Sequence, residues 1–348
     1  MTVAKEKSLR PENGGVGVPG ESALRTLAAD RDLGTEVRER VAAHRLPDDI
    51  AALADRYEEV VGIRDRFVWK WFHLLSPSFR LSTVDDGAEE TVRRHKTLVT
   101  MYVTLLDDLM EAWGDRETFE RAAALPFQTS TPADAAGVDE AYLELTRDVW
   151  AEVEDAVDAT PYGDRWDELF RYDLRQVLNS IRYAYVVTSR SHVANVTEAY
   201  VHGSHNMVVF PYADLDLMHS STFDRTELPT LRRLLWYAQQ MARIGNWVST
   251  WERELSEYDY SSGVVIRALE RGIVTREELL AARDDPALMT DVRGAIASAG
   301  IEDELLQEWV DRYSYLQDAV HLSSVSVDDY LDGMETVLRF HLGSRGAK

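Results

Sequence analysis

The 348-residue chain contains no cysteine. That absence excludes disulfides, thiolate metal sites and thiol nucleophiles, and it is compatible with a reducing compartment. Positive charge is scarce: 38 Lys and Arg stand against 61 Asp and Glu, a formal net charge of −23. No dense Lys/Arg cluster marks a nucleic-acid footprint, so nucleic acid is not an expected partner. The acidity fits a role in solubility, and an anionic ligand would need cations to offset it. No apolar run reaches the roughly 18–20 residues that span a bilayer, so membrane insertion is not expected. The opening stretch, MTVAKEKSLRPENGGVGVPGES, has no apolar core of the signal-peptide kind, and a cytoplasmic protein is expected. Strand-like alternation is almost missing. So are the paired Glu-x-x-His motifs that a di-iron helical bundle would carry.

What is present is a 45% apolar chain with helical periodicity. Residues 1–35, rich in Gly, Pro and charge, are read as a flexible N-terminal tail. From residue 36 to 348 no internal repeat or linker divides the sequence. Helices are expected over Glu36–Tyr57, Val60–Leu75, Glu90–Trp113, Val138–Val157, Trp166–Val187 and from Pro229 past Glu254, with four more at about 276–283, 287–298, 302–322 and 326–342. Residues 116–140 read as a loop region. Thr197–Met218 has helical character interrupted by Gly203 and Pro211. The fold class is all-α, a single helical bundle around a central cavity.

Two stretches carry chemistry. In Asn246-Trp247-Val248-Ser249-Thr250-Trp251-Glu252-Arg253-Glu254, residues 246, 250 and 254 stand four apart. On a helix they rise along one face. That face offers an amide oxygen, a hydroxyl and a carboxylate, the hard donors that Mg²⁺ prefers. Arg253 is placed to add a charge-assisted hydrogen bond to a phosphate. Upstream, Asp107, Asp108 and Glu111 end a helix whose run Leu98–Leu106 has no charge. Carboxylates gathered there would repel strongly unless a cation or a proton lay between them.

DDLME and NWVSTWERE, in that order, resemble the metal-binding pair of class I terpene synthases. The resemblance implies a class I terpene synthase helical bundle and an enzyme, a carbon–oxygen lyase acting on a prenyl diphosphate. It implies three Mg²⁺ ions, with Mn²⁺ as a substitute, held by Asp107, Asp108, Glu111, Asn246, Thr250 and Glu254. It also implies diphosphate contacts from Arg253 and, near a break in the helix after Thr197, from His205 and Asn206. Arg339-Phe340 stands where family members place an Arg-Tyr pair that meets the diphosphate, and Arg312-Tyr313 is a competing match. The arginine that many bacterial members carry at the helix break is absent.

The segment Tyr200–Phe210 looks more like bacterial labdane-related class I diterpene synthases of secondary metabolism. That points to a C20 substrate, copalyl-type or geranylgeranyl diphosphate, with farnesyl diphosphate as the alternative. A copalyl-type substrate implies a separate class II cyclase that supplies it, since Asp214-Leu215-Asp216-Leu217 lacks the third acid of an Asp-x-Asp-Asp motif. A chain-elongating prenyltransferase would need a second Asp-rich motif where this chain has NWVSTWERE. A homodimer is left open. A non-catalytic helical interaction protein, the alternative of another class, would have no reason to carry both oxygen-ligand sets. Trp69, Trp71 and Phe72 are candidates for aromatic faces that stabilise a carbocation.

Overall fold

A computed structural model describes residues 33–127 and 137–346. Among them are fifteen α-helices and no strand. They are α1 (Leu33–Ala43), α2 (Asp48–Val60), α3 (Arg66–Leu75), α4 (Glu89–Glu111), α5 (Arg116–Ala124), α6 (Glu140–Asp158), α7 (Gly163–Ser189), α8 (Val196–Val201), α9 (Val209–Leu217), α10 (Leu228–Ser256), α11 (Gly263–Glu270), α12 (Arg276–Ala281), α13 (Pro286–Ala297), α14 (Ile301–Ala319) and α15 (Val327–Gly343). The expected N-terminal tail lies outside the described residues up to residue 32, and α1 begins at Leu33.

Two long helices set the frame. α4 is buried nearly all round over residues 95–106, as an uncharged run demands. It packs against α3, α5, α6, α7 and α9. α10 packs against α9, α11, α14 and α15. The cavity opens between α4 and α10, and both sequence motifs sit at the C-terminal ends of these two helices.

Two local departures from the sequence reading have physical causes. The helix expected over Glu36–Tyr57 is split into α1 and α2 at Pro47, the residue that immediately precedes α2; proline disfavours the helical conformation for the residue before it. The stretch after Gly114 contains α5, because Asp115 is an N-cap that accepts from Thr118 N at 3.0 Å. The break after Thr197 consists of the short α8, a 3₁₀ turn over Gly203–Met207 and α9. Its pivot is Val208 at φ 59°, a left-handed conformation that is a true outlier for a β-branched residue.

The second acid of the Asp-Leu-Asp stretch of α9 is consumed by internal pairing. Asp216 meets Lys96 Nζ at 2.8 Å, and both side chains are almost fully buried. Leu81 N also donates to Asp216, at 2.9 Å. Neither Asp214 nor Asp216 lines the cavity. No helix among the described residues is long and apolar enough to cross a membrane.

Candidate active site

The cleft between α4 and α10 is lined from both helices and is open to solvent at its mouth. Asp107 and Glu111 enter it from α4. Asn246, Thr250, Arg253 and Glu254 enter from α10. Asn206, Met207 and Val208 bring the helix break to its wall. Asn206 Nδ2 lies 3.5 Å from Asp107 Oδ1, which ties the break to the first motif. Below the acids the walls turn apolar, with Val68, Trp71, Phe72, Phe79 and Val103.

The acids are held in an uncomfortable state. Burial pushes the Asp107 carboxyl up to about 6, with the charge of Asp108 adding to the effect. Burial also drives Glu111 well above the usual carboxylate range, followed by repulsion from Asp107 and Asp259. Glu254 is raised by burial and then by Asp259. Such mutual repulsion around one cavity is relieved by a cation. The donors are carboxylate, amide and hydroxyl oxygens, so they suit a hard divalent ion. Among the described residues no three Asp, Glu or His side chains already form a metal-holding group. The oxygen donors of both motifs line the same cleft, one set from α4 and the other from α10.

A sequence-family model described as terpene synthase family 2, C-terminal metal binding, matches residues 99–283, more than half the chain and including both motifs. The chain belongs to terpene synthase family 2. The structure of 2-methylisoborneol synthase from Streptomyces coelicolor A3(2), in complex with Mg²⁺ and geranyl-S-thiolodiphosphate, superposes with a TM-score of 0.51 at 13% identity, covering 92% of each chain. That likeness shows the shared all-α fold. A linalool/nerolidol synthase from Streptomyces clavuligerus, in complex with 2-fluorogeranyl diphosphate, matches at TM-score 0.46 and 14% identity, over 85% of this chain and 98% of that one. No curated protein matches the sequence.

In this terpene synthase three expected site residues stand away from the cleft. Asp108 is not among its lining residues; its two oxygens accept from Tyr57 Oη and Arg64 Nε, each at 2.6 Å. One residue along a helix turns the side chain by about 100°, so Asp107 and Glu111 share the cavity face and Asp108 does not. His205 packs its ring between Phe210 and Trp236. Burial lowers its pKa to about 4, so it is a neutral packing group there. Arg339 is half-buried and pairs with Glu36 at 2.8 Å, away from the cleft lining. The competing Arg312 is bonded to Gln240 and Glu308. Trp69 also stays out of the cavity and stacks edge-on to Tyr57.

Three residues that the motifs did not flag enter instead. Arg64, just before α3, reaches across to Asp108 and, at 3.4 Å, to Asp107. Arg243, one turn before Asn246, donates to Asn246 Oδ1 at 2.9 Å. Asp259 follows Tyr258, a non-glycine residue at φ 65°. It is fixed by Thr188 Oγ1 at 2.7 Å and Ser261 N at 2.8 Å, and it lines the cavity. Arg243 stands three residues before Asn246, close to the same helix face but outside the four-residue spacing that identified Thr250. Arg64 and Asp259 come from turns, where spacing carries no such signal.

Proposed function

We propose that this terpene synthase acts on a C20 prenyl diphosphate, copalyl-type or geranylgeranyl diphosphate, ionising it and directing cyclisation of the resulting cation. The observation that supports the reading best is the pairing of two oxygen-donor sets, from α4 and α10, above an apolar aromatic pocket. Asp107, Glu111, Asn246, Thr250 and Glu254 would hold the metal ions, three Mg²⁺ by resemblance, with Mn²⁺ as a substitute. When bound, the ions offset negative charge that develops on the departing diphosphate.

The chain's own residues do the rest. Thr250 Oγ1 donates to Asn246 O at 2.7 Å, which spends its proton on the backbone and leaves its lone pairs for the cleft. Arg253, which pairs with Glu257 and lies 3.7 Å from Glu254, holds positive charge at the same rim. Asn206 offers an amide from the helix break. Trp71, Phe72 and Phe79 line the pocket with aromatic faces that attract a carbocation. The apolar walls exclude water that would quench the cation early.

The C20 assignment rests on the Tyr200–Phe210 resemblance. A copalyl-type substrate would require a separate class II cyclase upstream. The second reading is a shorter substrate such as farnesyl diphosphate, and it draws on the geranyl-type ligand of the 2-methylisoborneol synthase complex. Competition at equal concentrations of farnesyl, geranylgeranyl and copalyl diphosphates decides between them. Preferential consumption of a C20 compound is expected; exclusive consumption of the farnesyl compound overturns the C20 reading.

A further inference from the structure

Arg243 occupies an unusual place for a charged side chain. It is 7% exposed, yet it lines the cleft. Its Nη1 donates to Asn246 Oδ1 at 2.9 Å, its guanidinium lies 5.6 Å from the Trp247 ring centre, and its Nε has no partner. A buried guanidinium with an unspent donor is costly unless something completes its shell. Its positive charge acts on Asp107 from the first motif and on Glu254 from the second. It lines the same cleft as both donor sets, one helical turn before Asn246 on α10. An anion that bridges both sets would meet it.

Its present bond also conflicts with the use proposed for Asn246. An amide oxygen that accepts from a guanidinium is a poor ligand for a divalent ion, because two positive charges would share one acceptor. An ion held at Asn246 would free a donor of Arg243 for an anion.

We propose that Arg243 exchanges partners, bonded to Asn246 when the cleft is empty and to the substrate diphosphate when ions and diphosphate are bound. The inference rests on the terpene synthase reading above and adds to it a residue that links ion binding to anion binding. A guanidinium fork matches phosphate oxygens in pairs, which a lysine point charge does not.

The test uses inorganic diphosphate with Mg²⁺, followed by titration calorimetry, and Mn²⁺ binding without diphosphate, followed by electron paramagnetic resonance. Arg243→Gln is expected to weaken diphosphate binding at least tenfold while Mn²⁺ binding stays equal to wild type or tightens. Unchanged diphosphate affinity overturns the proposal. Loss of Mn²⁺ binding together with diphosphate binding also overturns it, because Arg243 would then only be shaping Asn246. If the glutamine variant does not unfold cooperatively, Arg243→Lys carries the test, with diphosphate binding loosened severalfold and Mn²⁺ binding kept. A wild-type protein that binds no diphosphate in Mg²⁺ removes the underlying reading and the assignment with it. A wild type that binds it, with a glutamine variant that binds equally well, removes the assignment alone.

Discussion

Arg64 Nε donates to Asp108 Oδ1 at 2.6 Å, and this contact keeps the second acid of the first motif out of the cleft. Asp108, Arg64 and the Tyr57 hydroxyl form one network. Carboxylates at 107, 108 and 111 burden the arginine site with so much negative charge that, although burial alone would lower it, the guanidinium is held firmly protonated.

Asp108→Ala is therefore expected to act on stability before chemistry. It leaves the Arg64 charge without its main partner at a site where Asp108 is 2% exposed. Breaking a buried pair from one side costs roughly 3–5 kcal/mol, and the partial exposure of Arg64 puts this case at the low end, about 3 kcal/mol. Urea unfolding measures it. A midpoint equal to wild type, with activity lost, would return Asp108 to the set of direct ion ligands.

Asp107→Asn should do the opposite. Asp107 has a folded pKa of about 6, raised from 3.8. The stability that this group contributes is complete below its unfolded value and is lost as pH rises through about 6. The asparagine variant escapes that loss, so above pH 6 metal-free variant should unfold at a temperature no lower than wild type. Its turnover should fall by about 10²-fold or more, the scale of a lost electrostatic contact in a transition state. Equal turnover would reassign Asp107 to structure.

The same shift fixes how Mg²⁺ and pH interact. Ion ligands must be deprotonated, so stabilisation by Mg²⁺ should be small near pH 5 and grow as pH passes about 6. Thermal unfolding with Mg²⁺ and with excess chelator, across pH 5 to 8, reads this out. A metal effect that is flat with pH would show that the raised carboxylates are not the ligands.

Phe72 lines the apolar part of the cleft and meets Trp71 edge-on with ring centres 5.5 Å apart. Phe72→Leu keeps an apolar wall but removes an aromatic face. Substrate consumption should persist within about tenfold while the product mixture changes, since loss of one cation–π contact is worth ~1–2 kcal/mol. An unaltered product profile would place the ring outside the path of the cation.

Gly263 opens α11 directly against Trp247, whose ring atoms would lie 2.5 Å from an added Cβ. The ring also meets Tyr200 edge-on, with ring centres 5.1 Å apart. Gly263→Ala should cost ~1–3 kcal/mol by overpacking, visible as a lower unfolding midpoint. No loss would mean that Trp247 shifts freely and does not brace Arg243.

The sequence made the frame legible because its signals are periodic. The uncharged Leu98–Leu106 run announced a buried helix, and the four-residue spacing of Asn246, Thr250 and Glu254 put them on one face, where the structure has them. Rotation limited the rest. Asp107 and Asp108 are equal in a motif, yet one turn angle sends them to different neighbours. His205 is close to the cavity wall along the chain, but the 3₁₀ turn that ends at Met207 directs it into a ring cluster. Arg64 meets its acids across 43 and 44 residues of sequence, a contact that only tertiary packing decides. Residues 116–140 read as a loop and open with α5 instead, because the cap that starts it, Asp115, is a lone Asp whose role shows only once Thr118 N is placed.

The most direct test of the account is turnover of purified protein with geranylgeranyl and copalyl diphosphates in Mg²⁺, following both extracted hydrocarbon and released inorganic diphosphate, beside the same reactions in excess chelator. The account predicts cyclic product and diphosphate in equal amounts, abolished by chelator and by Asn246→Ala. Full turnover in chelator, or no product from any prenyl diphosphate in Mg²⁺, would contradict it.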